Sequence, residues 1–361
     1  MHKLLLTLAM LCSLALGAQA QEVAWSIDYS TVLNNREGGD EANPDQTFLF
    51  ARLSPEVGVD LMHSQHQFRA GVSWYQPLNA DWKGHKLDLT LYYLYAHRRW
   101  RLGAGAMPRT LMRERLPLYL WSDSMNYQNP NLRGALVQYS WGPSYWQMML
   151  DWRQMQSTTR REAFNAIFSG RWYPSRRSVW LGGYLQYNHL AKRKDAPPNE
   201  GVNDDITVNP LVGIDLTRHT RLDSLSLHAG AVVQMQRARA DNKWHTPCAF
   251  VANATMQWRW LGISENLMAG SDLFPLYDRF GSQLNLGDPY YRSKFYSRTD
   301  VWARIVSTRF ADVRATLTLH ATDRTTAFWQ QIAVRFYLDQ HIWRHRRSGK
   351  WLKGGHLPNI Y

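Results

Sequence analysis

Arg304, Arg314 and Arg335, together with His320, sit in three successive stretches in which polar and apolar residues alternate. A guanidinium keeps its charge at any physiological pH, and its planar N–H fork can hold a carboxylate through two parallel hydrogen bonds. A row of such groups along one surface would bind anions and hand them on. Asp312 and Gln331 belong to the same polar phase, and Arg101, Arg109, Arg153 and Arg259 occupy comparable places elsewhere, with Asp151 as a counter-charge. The plainer reading is that these arginines pair with aspartates to brace a wall, and both readings stay open at this level.

A second group lies in 109–131, "RTLMRERLPLYLWSDSMNYQNPN", where Arg109, Arg113, Arg115 and Asp123 flank an apolar run. A third lies in 272–294, "DLFPLYDRFGSQLNLGDPYYRSK", which carries Asp278, Arg279, Asp288, Tyr290 and Tyr291. Aromatic and charged groups side by side suit stacking against a sugar, whereas tyrosine at a membrane rim explains them equally well.

Hydrolytic chemistry is only faintly represented. An enzyme acting on bilayer lipid would set His and Ser two apart on a lipid-facing strand. The nearest approaches are "HSQH", His63 to His66, and "HATDRT", with His320 and Thr322. His341 and His345 stand four apart without the Cys or carboxylate cluster of a metal centre. No glycine-rich phosphate loop occurs, and neither a metal nor a cofactor is expected.

The elements that carry these residues are strands. In 310–321, Phe310, Asp312, Arg314, Thr316, Thr318 and His320 take one side, and Ala311, Val313, Ala315, Leu317, Leu319 and Ala321 the other. The same two-residue period runs through 144–153, 225–236, 249–259 and 328–339. Each run has about ten residues, the length a tilted strand needs to cross a bilayer, whereas strands of soluble sandwiches average about five or six. Breaking the chain at Gly, Pro, Asn and charge clusters gives sixteen strands, with fourteen as the alternative. Long connectors follow the odd strands and tight turns the even ones. That parity predicts an all-β, up-and-down antiparallel transmembrane β-barrel rather than a Greek-key sandwich.

The ends are distinct. "MHKLLLTLAMLCSLALGAQA", residues 1–20, has the basic start, apolar stretch and Ala-Gln-Ala cleavage site of a secretory signal. Its apolar run is too short to span a membrane, which takes about 20 residues. Residues 21–340 form the barrel and 341–361 a basic tail, free in the periplasm or bound to anionic lipid headgroups. Without the signal one cysteine remains, Cys248, so no internal disulfide can form. The net charge of +13 falls to +12 with the loss of Lys3 and points to anionic partners. Nucleic acid is not expected for an exported chain without a recognisable binding module. Seventeen Trp and 18 Tyr at a mean hydropathy of −0.45 suit a barrel with aromatic girdles and a polar lumen.

With the strands placed, "RLSPEVGVDLMHSQHQFRAGVSWYQPL" and "LRGALVQYSWGPSYWQMMLDWRQMQSTTRREAF" resemble bacterial outer-membrane porin-like barrels, of the alginate-export-like and substrate-selective style. The resemblance implies a Gram-negative outer-membrane location, and partners in outer-membrane lipid and the barrel assembly machinery. It also implies passage of a small anionic or carbohydrate solute, a channel rather than an enzyme, and a long loop, 109–131, that folds inward as a constriction, with an outward loop packed on its neighbours as the alternative. A closed barrel whose loops bind a surface partner or polysaccharide is the alternative, and a lipid hydrolase the third reading.

Overall fold

The computed structural model describes residues 22–39, 43–78, 82–175, 178–197 and 200–346. The expected signal segment and residues 347–361 of the basic tail lie outside the described residues.

The strands are β1 (Glu22–Glu37), β2 (Gln46–Leu61), β3 (His66–Pro77), β4 (Lys86–His97), β5 (Trp100–Pro108), β6 (Asn131–Trp141), β7 (Ser144–Gln154), β8 (Ala163–Trp172) and β9 (Val179–Leu190). They continue with β10 (Asn203–Asp215), β11 (Ser224–Ala238), β12 (Lys243–His245), β13 (Cys248–Trp258), β14 (Leu261–Gly270), β15 (Phe295–Ser307), β16 (Ala311–Thr322) and β17 (Thr326–Asp339). Each wall strand pairs antiparallel with the next, and β1 pairs β17 from Ser26 opposite Asp339 to Glu37 opposite Phe328, which closes the sheet. Sixteen strands form the wall. β12 is a three-residue extension that pairs only with the end of β11. Closure satisfies every strand edge internally, which a lipid surrounding demands.

The two phases of each strand separate as their chemistry requires. On β17, Phe328, Ile332 and Phe336 face out and are exposed, while Trp329, Ala333 and Arg335 face in and are buried. On β4 the outward Leu87, Leu89 and Leu91 are 64–72% exposed, an arrangement stable only against hydrocarbon. Aromatic rings gather where the belt meets the interface. Phe68–Tyr93 and Trp100–Tyr139 lie at the short-turn end, at 4.9 and 4.7 Å, and Trp152–Phe164 at the long-loop end, at 5.3 Å.

Two glycines let large rings lie flat on the inner wall. Gly213 is registered with Trp180 and Gly262 with Trp302, and in each case a Cβ would come within 2.2 Å of the indole. The rings occupy the space a side chain would need.

Two long connectors turn into the barrel. Residues 109–130 contain α1 (Asp123–Gln128), whose N-cap Ser122 accepts a hydrogen bond from the Met125 amide. Residues 271–294 contain the single turn α2 (Tyr277–Phe280). Ser122 N donates to Leu286 O and Asp288 N to Leu118 O, both at 2.8 Å, so the two connectors are stitched together. The run "LPLYLW" explains why they turn inward. Leu116, Tyr119, Leu120 and Trp121 pack with Leu273, Phe274, Leu286, Tyr290 and Tyr291, and with Leu132, Met149, Ile167 and Met268 of the wall. Each such side chain removed from water contributes roughly 1.5–3 kcal/mol. After β17 the chain enters α3 (Gln340–Arg346), where Gln340 accepts a hydrogen bond from Trp25 N at the short-turn end.

Candidate functional site

The infolded connectors leave polar space inside the barrel. A cavity of about 480 Å³ lies beneath residues 114–119, walled by β9, β11, β13, β14 and β15. Arg115, Arg171 and Arg298 face it from the loop, β8 and β15, alongside Asn253, Asn266 and His228. A second cavity of about 310 Å³ lies on the β1–β5 side, toward the short turns.

The arginines are held in place by carboxylates. Arg298 Nη1 bonds the buried Asp123 at 2.8 Å and its Nε bonds the half-buried Asp300 at 2.9 Å. Arg115 also pairs with Asp123. Arg171 bonds Glu114 at 2.6 Å and lies over the Trp180 ring at 4.5 Å, while Tyr184 donates to the same glutamate at 2.9 Å. Although burial opposes it, Arg298 and Arg115 hold the Asp123 carboxyl well below the usual range. Asp288, between the two connectors, shows the reverse. Burial, with the Asp123 charge second, pushes it up to about 6.

The residues singled out in the sequence fall into three sets. The first lies on the inward phase of β15, β16 and β17. Arg304 and Arg314 stand opposite one another on β15 and β16, and Asp312 is registered with Arg335. Arg335 makes a two-pronged pair with Asp28 at 2.7 and 3.0 Å, and Gln331 accepts from Asn34 and Tyr127. The second set belongs to the infolded loop. Arg109 pairs with Asp151 and lies over Trp121 at 3.8 Å, while Arg153, a wall residue of β7, donates to Gln283 O of the other connector at 2.6 Å. Arg113 is anchored by its backbone to Gln147 at 2.9 Å.

The third set departs from expectation. Arg259 does not line the lumen: it occupies the tight turn between β13 and β14 at φ +53°, exposed beside Trp258. The strand period stops one residue before it. His320 faces inward but forms no rung of a wet ladder, because Tyr290, Tyr296 and Trp329 enclose it, the nearest ring centroid at 4.0 Å. Tyr290 and Tyr291 are both 2% exposed inside the infolded loop, away from the rim, and Tyr291 is part of the lining of the cavity of about 480 Å³. The two His-hydroxyl pairs are unsuited to lipid hydrolysis. Ser64 sits in a short turn and bonds Asp60, and Thr322 bonds Thr325 O.

Sequence reading missed Arg298 and Arg171. Arg298 stands six residues before Arg304, in the same phase, so parity alone marks it as lumenal. It also missed a cluster on the outer face at the long-loop end. Asn188 and Leu190 are buried inward, so Tyr187 and His189 of β9 point outward, with Asp204 of β10 registered opposite His189. Tyr187 Oη donates to Asp204 at 2.9 Å, Arg239 grips it at 2.7 and 2.9 Å, Arg237 reaches it at 3.3 Å, and His189 Nδ1 lies 3.6 Å away. Arg237 also stacks over Trp244 at 4.5 Å. Polar residues at the end of a lipid-facing phase are the signal that would have found this group.

Fold and interior together define an outer-membrane-type β-barrel narrowed by two infolded loops. The chain belongs to the lipid A 3'-O-deacylase-type family, whose model matches residues 16–340. No curated protein sequence matches it. The fold is similar to that of OccK2 (OpdF) of Pseudomonas aeruginosa, at 10% identity and a TM-score of 0.53 over 88% of this chain and 98% of that one. It is also similar to OprD of Pseudomonas aeruginosa (9%, 0.53, 88% and 94%) and to OprB of Pseudomonas putida (10%, 0.52, 88% and 94%). The likeness to substrate-selective porins read from the sequence thus holds for the fold, while the family matched is a different one from the alginate-export-like style.

Proposed function

We propose that the protein is a selective channel of a Gram-negative outer membrane, admitting small anionic or sugar-like solutes through its lumen. The observation that carries this reading is the interior cavity in which Arg115, Arg171 and Arg298 converge with Asn253 and Asn266. Arg115 and Arg171 are each oriented by one acid and Arg298 by two; the remaining N–H groups can meet an anion, and the asparagine amides can bond hydroxyls. At about 480 Å³ the space falls within the size range of small-ligand sites. The infolded loops would make passage selective rather than general. A structure of OccK2, 11% identical and at a TM-score of 0.52, is a complex with glucuronate, a solute of this chemistry. Proteoliposome swelling tests the proposal. Uptake of a sugar acid should exceed that of a neutral disaccharide, and equal, negligible uptake of both would refute it.

A second reading, hydrolysis of an acyl ester of an outer-leaflet lipid, is favoured by the family and by the outward His189–Asp204 pair. His189 would take a proton from water attacking the ester carbonyl, and the acyl–oxygen bond would break to free a fatty acid and an alcohol. Arg237 and Arg239 would face the lipid's phosphate. The channel is preferred because no serine or threonine of β8 to β11 accompanies His189 at the outer end, and because Asp204 is already committed to two arginines.

A further inference from the structure

Most lumenal arginines have a carboxylate partner, but two neighbouring ones do not. Among the described residues Arg101, on β5, makes no side-chain hydrogen bond or ion pair. Arg113, in the infolded loop, has no carboxylate either; its guanidinium lies over the Tyr145 ring at 5.4 Å. The two are brought to one patch of wall. Arg101 is registered with Gln138, and Gln138 donates to Gln147 at 3.1 Å and to Leu111 O at 2.9 Å. Gln147 in turn accepts from Arg113 N at 2.9 Å. The guanidinium groups are near enough to act on one another electrostatically.

Two like charges gathered without a counter-ion in a half-buried wall are unfavourable on their own. Several other arginines along this lumen are matched to an acid, as with Arg109–Asp151 next door. Space for a ligand is at hand. The cavity of about 310 Å³ is lined by Arg101 and by Thr110 and Leu111, two residues before Arg113. Its other walls carry Ser54, Ser73 and Gln67 together with the acids Glu56 and Asp339, and Arg113 stands just outside its lining. Its remaining cations include Arg335 and Arg69, which are matched to Asp28 and Asp60 at 2.7 and 2.6 Å.

We infer that Arg101 and Arg113 form a binding site for a phosphate-type dianion, entered from the short-turn side of the lumen. Two forks match the charge and the several acceptor oxygens of a phosphate, and hydroxyl groups beside them suit a sugar attached to it. The inference rests on the channel reading for its physiological meaning but not for its test, since binding is measured without transport.

Titration calorimetry on the detergent-solubilised full chain, at constant ionic strength, decides it. Inorganic phosphate and glucose 1-phosphate should both bind, and glucose should not. Arg101→Gln and Arg113→Gln should each weaken binding roughly tenfold to a hundredfold, the loss expected for a hydrogen bond between charged groups. Arg279→Gln, in an exposed pair with Asp241, should leave it unchanged. Tighter binding of glucose 1-phosphate than of phosphate would place the sugar in the serine-lined cavity, and equal binding would place phosphate alone in the site. Phosphate binding that is absent, or that survives in the double variant, overturns the inference. Binding with no channel activity would instead sustain the site and remove the transport reading.

Discussion

Arg298 of the barrel wall and Asp123 of the infolded loop are 175 residues apart in sequence and 2.8 Å apart inside the barrel, both buried. Asp123 receives Arg115 as well, so one carboxylate ties the loop to itself and to β15. Nothing in either local sequence announces the partner. The contact exists because the apolar run 116–121 carries the loop inward and because Arg298 shares the inward phase of Tyr296 and Asp300.

Cutting this tether should loosen the plug. Removing one member of a buried pair costs roughly 3–5 kcal/mol, because the other charge is left stranded. Asp123→Ala should therefore raise single-channel conductance or its flicker while the barrel stays folded. Its heat-modifiable shift on gels should persist, and loss of that shift would mean the residue supports the wall rather than the plug.

Asp288 should give the plug a pH dependence. Burial and the Asp123 carboxylate together outweigh the Arg298 and Arg36 guanidiniums and the Tyr290 amide, placing it at about 6. In the unfolded chain an aspartate titrates near 3.9. The folded state thus binds the extra proton between those values. Its stabilisation is complete below about pH 4 and is lost as pH rises through about 6. Hydrogen exchange in 271–294, corrected for the intrinsic rise of amide exchange with pH, should accelerate between about pH 4 and 6, and Asp288→Asn should abolish that extra change.

The glycines beneath the indoles should be intolerant. At Gly213 a methyl would meet the Trp180 ring at 2.2 Å, and overpacking of this kind costs roughly 1–3 kcal/mol. Gly213→Ala should lower the unfolding temperature, and adding Trp180→Leu should restore part of the loss. Additive losses would show that the two residues are not coupled.

The lipid-hydrolysis reading has its own test. If it holds, mass analysis of outer-membrane lipid should show an acyl chain lost on expression and retained with His189→Ala. On the channel reading the lipid is the same with either form.

Much of the wall was legible because one rule, polar in and apolar out, applies to every strand and repeats at a period of two. All five long alternating runs keep the phase read from them, and Phe328, Ile332 and Phe336 do face outward. The loop parity was legible for the same reason, since turn residues punctuate each run. Arg259 was misread because a left-handed turn begins where the alternation ends, and alternation cannot mark its own last residue. The interior was much less legible. Arg335 finds Asp28 across the seam that closes the barrel, and Tyr290 reaches His320 from a loop; such pairings depend on closure and infolding rather than on local spacing. The loop 109–131 was left open between inward and outward folding, and its apolar run is what decides the matter.

Reversal potential across a planar bilayer under a potassium chloride gradient tests the central claim most directly. The channel reading predicts discrete currents with anion preference. It also predicts that Arg115→Gln with Arg298→Gln shifts the reversal potential toward zero. Silent membranes from well-folded protein, or a cation preference indifferent to those substitutions, would contradict it.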